Sequence, residues 1–458
     1  MPFFMTQGFG AFNDNVFKNA LAALLVFESS KMAGLNTDQL VNFSAMVFIL
    51  PFFLFSALFG QFADKYEKSM QIRRVKLLEV VIMLLATLGF WLDNVPLLMF
   101  VLFLLGLQST IFGPIKYGIL PRILKREELV GGNALIEMGT FVAILGGTIA
   151  GPQLAGIEAS WPYWASAACL AVAVTGYLFS LRIPPSPAVA PDLEISWNIF
   201  AETVRNMKFI NQNRTVLNSV LGISWFWFFG AIFLVQIPSY TQNVLGGDKH
   251  LMSALLALFI IGISTGSLLC ERLSGKQVEI GLVPFGAIGL TLFGLDLYFA
   301  SPEAPVAGIT VMEFLADGNN WRIVIDLLLI GTFGGFYIVP LYALVQSRSE
   351  QDHLSRVIAG LNILNSLFMV VAAVSAMLIL GPAGLSIPEL FLITAVLNAV
   401  VAVYIFTLVP EFLMRFLVWI LIHTIYRVKV TGMDHIPEEG PVIVASNHVS
   451  FADPLILG

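Results

Sequence analysis

Charge is scarce in this chain. Asp, Glu, Lys and Arg account for 12% of its 458 residues, about half of the roughly 25% carried by a soluble domain. Hydrophobic residues reach 57%. That balance excludes a soluble globular enzyme and points to a polytopic membrane protein, for which no nucleic-acid partner is expected. Cysteine is nearly absent. Cys169 and Cys270 both fall in apolar runs, which argues against a disulfide framework. The opening MPFFMTQGFG has no basic residue ahead of its apolar segment, so a secretory signal is not expected there. Nothing in the sequence calls for a cofactor or a metal.

What is abundant is the apolar run of about 20 residues, the length of a membrane-spanning helix. Such runs start near Gly8, Val41, Lys76, Val95, Gly131 and Trp161, and again near Thr215, Leu251, Gly281, Ile323, Leu354 and Ser386. The expectation is an all-α membrane protein of twelve spans in two six-helix bundles, residues 1–182 and 215–410. Residues 183–214 between them begin Pro-rich and continue as an amphipathic helix, which reads as a linker. A weak repeat relates the halves: LLGLQSTIFGPIKYGILPRIL of the fourth span resembles LLIGTFGGFYIVPLYALVQSR of the tenth. Duplicated halves are common in transporters.

Lys and Arg sort to one side. They follow spans two, four, six, eight, ten and twelve, while only Lys31, Lys249 and Arg322 fall in the opposite loops. The positive-inside rule then places both termini in the cytoplasm. Two of the basic loops match each other: GQFADKYEKSMQIRR pairs Asp64 with Lys65, and GSLLCERLSGK pairs Glu271 with Arg272. These charges either set topology alone or form a latch that breaks as the protein changes state, and two matching loops favour the latch. With GGTIAGP, Gly147 to Pro152, supplying small residues for close helix contact, the chain from about Gly8 to Val409 resembles the major facilitator superfamily. That resemblance implies two bundles rocking about a central cavity.

The first span carries FNDNVFKN. In a helix Asp14 and Lys18 lie four apart, as do Asn15 and Asn19, so they form one polar stripe. Each central charge costs about 2.5–3.5 kcal/mol on the insertion scale, so the stripe must meet water or partners. Lys116 in GPIKYGIL and Glu137 in GGNALIEMG fall near the same depth, and a balanced network of Asp14, Lys18, Lys116 and Glu137 near the cytoplasmic mouth is expected. Pairing of Asp14 with Lys18 inside their own helix is the plainer alternative.

FNDN, IKYGIL and GNALIE together resemble the bacterial lysophospholipid transporter family. The resemblance implies transport roles for Asp14 and Lys116 and more loosely for Glu137, with Asn13, Asn19, Tyr117 and Asn133 as neighbours in the cavity. It implies a lysophospholipid substrate, such as lysophosphatidylethanolamine, flipped from the outer to the inner leaflet of the bacterial inner membrane by a monomer surrounded by membrane lipids. One departure stands out: the family carries an Arg in its seventh helix, but SVLGISWFWFFGAIFLVQIPSY has no charge. Gln236, Asn362 and Asn365 are the polar candidates left in that half, as head-group ligands or as ordinary interhelical hydrogen bonds. Trp225 and Trp227 either line a groove for an acyl chain or pack against neighbours and lipid. Asp296 and Asp326 sit toward outer span ends, where interfacial placement accounts for them.

Residues 411–427 are too short and too basic at their end for another span and read as an interfacial helix. In 428–458, GPVIVASN precedes a loop with His448 and Asp453, a pair in which Asp orients an imidazole that takes a proton from an attacking hydroxyl. This segment resembles the start of the glycerolipid acyltransferase family. The implied arrangement is a truncated natural fusion of transporter, acyltransferase and an acyl-activating domain, in which this chain itself is not an enzyme and the missing domain is its partner. Two other functions compete: a proton-coupled drug or small-solute exporter with the same spans, and an acyltransferase that uses the spans only as an anchor.

Overall fold

The computed structural model describes residues 1–27, 37–155, 161–274 and 282–408, with the isolated positions 418 and 424. The interfacial helix expected over 411–427 and the fragment 428–458 with His448 and Asp453 lie outside the described residues, as do Lys31 and Lys276. No strand occurs among the described residues, whose one β-bridge joins Gly247 to Ile309.

Among the described residues, twelve long helices form two sets of six. The N-terminal set is α1 (Pro2–Phe27), α2 (Thr37–Lys65), α3 (Lys68–Trp91), α4 (Val95–Gly118), α5 (Leu129–Ala155) and α6 (Trp161–Ser180). A linker helix, α7 (Ile199–Gln212), separates it from α8 (Arg214–Tyr240), α9 (Lys249–Leu273), α10 (Leu282–Ala300), α11 (Trp321–Arg348), α12 (Leu354–Leu380) and α13 (Ile387–Leu408). Ten of the twelve are long and apolar enough to cross a membrane. The other two, α1 and α3, are the helices interrupted by FNDNVFKN and by QIRRVKLLE.

Two helices, α1 and α3, begin furthest ahead of their apolar runs. α1 starts at Pro2 rather than near Gly8, which puts Asp14 about 18 Å along its axis at 1.5 Å per residue, close to the midpoint. α3 starts at Lys68 rather than Lys76 because Glu67 caps it, its carboxylate accepting from the backbone N–H groups of Ser69 and Met70. Lys68, Arg73, Arg74 and Lys76 are therefore helical and not loop charges. Lys68 is 1% exposed, its Nζ donating to the Ala63 carbonyl at 2.5 Å and to Ser355 Oγ at 3.2 Å.

Glycines set the closest helix approaches. A Cβ on Gly147 or Gly151 of α5 would strike the backbone of α1 at Phe12, Val16 and Ala20. In the second half Gly262 and Gly266 of α9 face Gly331 and Gly335 of α11, backbone against backbone. These contacts let dispersion, not hydrophobic exclusion, hold helices that share an apolar solvent.

The linker is strapped to the first half. Ser186 N–H donates to Glu67 Oε1 at 2.7 Å, the Val189 and Ala190 N–H groups to the Asp64 carbonyl, and Gln61 exchanges two bonds with the Ser196 backbone. Helix α7 then buries Glu202, Asn206 and Ile210 and exposes Phe200 and Val204, with Trp197 exposed just ahead of it. That outward face suits a lipid interface.

Candidate functional site

A cavity of about 260 Å³ lies between the two halves. Its charged lining comes from the first half alone: Asp14 and Lys18 of α1, Lys76 of α3 and Lys116 of α4. The second half supplies Trp227, Tyr342, Asn362 and Asn365.

The FNDN segment divides its side chains among three neighbours. Asn13 points away from the cavity and donates to Glu79 Oε1 of α3 at 3.0 Å. Asp14 Oδ2 accepts from Ser109 Oγ of α4 at 2.6 Å. Asn15 and Asn19 turn back on α1, donating to the Ala11 and Asn15 carbonyls at 2.8 Å, and Asn19 also reaches Thr148 of α5. Lys18 lies over the Phe48 ring, 5.6 Å from its centroid.

The expected four-residue network is not present. Asp14 has no ion pair with Lys18, and Lys116 has none with Glu137, among the described residues. Each charge takes another partner, and the two pairs do not share one level. Asp14 is midway along α1, whereas Lys116 sits in the last turn of α4 and Glu137 in the third turn of α5. Lys116 Nζ instead donates to Thr140 Oγ1 at 2.9 Å, which donates to Gln7 Oε1 at 3.0 Å. Glu137 Oε1 accepts from Tyr117 OH at 2.6 Å, and the Tyr117 ring stacks on Tyr342 of the second half, centroids 4.3 Å apart.

A buried ion pair beside the cavity joins Lys76, counted in the sequence among the basic residues that follow span two, to Glu79, which no motif singled out. Lys76 Nζ lies 2.7 Å from Glu79 Oε2, both side chains 1% exposed. Gln108 Nε2 donates to the same oxygen at 3.2 Å, and Ser109 Oγ lies 3.2 Å from Gln108 Oε1. A continuous polar chain thus runs from Asp14 through Ser109, Gln108 and Glu79 to Lys76 and Asn13. The i, i+3 spacing of Lys76 and Glu79 inside an apolar run was the available signal.

Other candidates are elsewhere. Trp225 is outside the cavity, its Nε1 donating to Asn398 Oδ1 at 2.8 Å and its ring stacked on Phe228. Gln236 does not line the cavity. Asn365 Oδ1 accepts from Ser224 Oγ at 2.9 Å, and Asn362 lies against Gly113 of α4. Asn133 instead bridges the halves, exchanging bonds with Gln346.

The halves are clamped at the end that carries the basic loops. Asp64 pairs there not with Lys65 but across the boundary: Oδ2 accepts from Arg356 Nε at 3.1 Å and Oδ1 from the Ser355 N–H at 3.2 Å. Lys65 lies over the Tyr66 ring. The matching Glu271 places its carboxyl group against Gly131, in the first turn of α5, and Arg272 is exposed. A carboxylate at a helix N-terminus meets the positive end of the macrodipole.

Residues 3–316 match the family model described as Major Facilitator Superfamily. The chain belongs to the major facilitator superfamily. Its solved neighbours within that fold include the human organic anion transporter MFSD10, with a TM-score of 0.66, 12% identity and coverage of 88% of this chain and 99% of the other. FucP in its outward conformation gives 0.62 at 12% identity, covering 87% and 97%. Among this facilitator's relatives by sequence is the lysophospholipid transporter LplT of Photorhabdus laumondii, 27% identical over 76% of this chain and 79% of the relative. LplT of Escherichia coli O157:H7 is 28% identical over 76% and 80%. Residues 427–458 match the family model described as Acyltransferase.

Proposed function

We propose that this facilitator moves lysophospholipids across the bacterial inner membrane. The observation that carries the reading is the mixed lining of the central cavity, in which Lys18, Lys76 and Lys116 stand with a single carboxylate, Asp14, beside Trp227 and Tyr342. Cations and one anion suit a zwitterionic phosphate head group, and about 260 Å³ holds a head group while leaving the acyl chain outside. The LplT relatives support the same substrate class. Asp14 and Lys116 are the residues to which transport is assigned, with Tyr117, Asn15, Asn362 and Asn365 shaping the cavity and Glu137 held behind it.

With the basic end cytoplasmic, the clamp of Asp64, Arg356, Asn133 and Gln346 closes the inner side, and the cavity loads from the outer leaflet. Flipping inward delivers substrate, lysophosphatidylethanolamine among others, to the side expected for the C-terminal segment, whose residues 427–458 match the family model described as Acyltransferase. Reacylation by a fused acyltransferase then follows naturally, with this membrane domain acting as transporter and not as enzyme.

The test is transfer of fluorescent lysophosphatidylethanolamine between leaflets of proteoliposomes, with Asp14→Ala as control. Transfer by the parent that is lost in the variant supports the reading. Equal transfer by both removes Asp14 from it, and a parent that moves only soluble drugs, driven by a proton gradient, replaces it with an exporter.

A further inference from the structure

Three features of the Lys76–Glu79 pair set it apart from a structural salt bridge. First, Lys76 borders the cavity although its side chain is only 1% exposed. Its ammonium occupies the space where a Cβ on Gly10 of α1 would stand. A larger residue at that position would force the ammonium to shift. Second, Glu79 is over-supplied with donors: besides Lys76 it accepts from Asn13 at 3.0 Å and Gln108 at 3.2 Å. The carboxylate is fixed by two neutral groups whatever the lysine does. Third, an ammonium has three N–H donors, and Glu79 is the one hydrogen-bond acceptor that Lys76 has among the described residues. The remaining face of the cation meets the Phe112 ring, 5.1 Å from its centroid.

Glu79 pairs with this ammonium through one donor, and the donors it leaves unused beside a cavity can take a further anion. We propose that Lys76 binds the phosphate of the substrate head group, with Glu79 as its positioning residue. This rests on the lysophospholipid reading and deepens it. Glu79 orients the lysine through one bond and leaves two donors for phosphate oxygens, a charge-assisted contact stronger than a neutral one. Asn13 and Gln108 hold Glu79 still, as supporting groups must if a site is to stay within a fraction of an ångström of its productive geometry. The same chain of bonds ties this site to Asp14, the one carboxylate lining the cavity among the described residues. Asp14 then faces the head-group cation while Lys76 faces its anion.

The test compares two probes on the purified full chain, lysophosphatidylethanolamine and 1-acylglycerol, which keeps the acyl chain and glycerol but lacks the phosphate. Binding is read by calorimetry for the parent, Lys76→Gln, Glu79→Gln and the double variant Lys76→Gln/Glu79→Gln. The double variant replaces both charges by amides and so stays foldable where Lys76→Gln alone strands a buried carboxylate. The expected result is a loss of roughly 10- to 100-fold in lysophosphatidylethanolamine affinity for Lys76→Gln and for the double variant. Glu79→Gln loses less, and acylglycerol binding is unchanged throughout. A double variant that binds the phospholipid as the parent does, or that loses both probes alike, overturns the proposal. Failure of the substrate reading looks different, because the parent itself then binds the phospholipid no more tightly than the acylglycerol, and both ideas fall.

Discussion

Asn133 and Gln346 exchange amide hydrogen bonds in both directions across the boundary between the halves, Asn133 Nδ2 to Gln346 Oε1 at 2.7 Å and Gln346 Nε2 to Asn133 Oδ1 at 3.1 Å. Both side chains are fully buried. Each half contributes one, so the pair exists only while this end is closed, and opening must expose both amides or leave them unpaired.

Truncating either partner strands the other in a buried site, which costs about 1–3 kcal/mol. Asn133→Ala and Gln346→Ala are each expected to lower the thermal unfolding temperature in detergent. The double variant should lose less than the sum of the two, since neither amide is then left without its partner. Strict additivity would mean that the pair contributes nothing to closure.

The ionic part of the clamp tests separately. Asp64→Asn weakens its bonds to Arg356 and to the Ser355 N–H, shifting the population toward the state open at this end. Ser355 is 0% exposed, and the native thiols of Cys169 and Cys270 are buried, so a thiol introduced by Ser355→Cys reports opening against a silent background. Maleimide labelling from the basic side should be slow in that variant and several-fold faster when Asp64→Asn is added. Equal rates would assign Asp64 to topology alone.

The twelve spans and the linker were legible because each depends on local composition: apolar length, Pro-rich breaks and the sorting of Lys and Arg. The polar centre was only half legible. FNDN announced itself as polarity inside an apolar run, but which neighbour each residue meets depends on helix rotation and relative depth, which periodicity in one helix does not encode. Lys76 and Glu79 were hidden by position. They follow Lys68, Arg73 and Arg74, helical charges that read as loop in the sequence, and only the Glu67 cap shows that the helix starts eight residues before Lys76. Asp64 was legible as a charged loop residue, but its partners across the boundary, Ser355 and Arg356, come from the other half of the chain and no local motif names them.

Tyr117 separates packing from hydrogen bonding. Its ring stacks on Tyr342 while its hydroxyl serves Glu137, which is 0% exposed and whose Oε2 has no hydrogen-bond partner among the described residues. Tyr117→Phe keeps the stack and removes the one hydrogen bond that Glu137 makes among the described residues. A loss of about 1–3 kcal/mol is expected, visible as a lower midpoint of thermal unfolding. Adding Glu137→Gln should recover part of it, because a neutral amide is less costly to bury than a carboxylate. No recovery would show that the ring, not the hydroxyl, carries the contribution.

The strap between the halves should be sensitive to acid. Glu67 lies in the loop between α2 and α3, where partial desolvation raises its pKa but the N–H groups of Ser186, Met70 and Ser69 outweigh it and hold the carboxyl below its ordinary value of 4.5. A carboxylate whose pKa is lower folded than unfolded contributes stability that is present above the unfolded value and is lost as pH falls through the folded one. The linker contact is thus insensitive to pH from neutrality down to the ordinary glutamate range and weakens only below it. Hydrogen exchange at the Ser186 amide, which donates to Glu67 at 2.7 Å, reads this directly. Its protection factor should hold through pH 5 and fall at lower pH, while in Glu67→Gln, where the acceptor is a neutral amide, it should start lower and show no such step. A step that survives Glu67→Gln would place the acid sensitivity elsewhere in the strap.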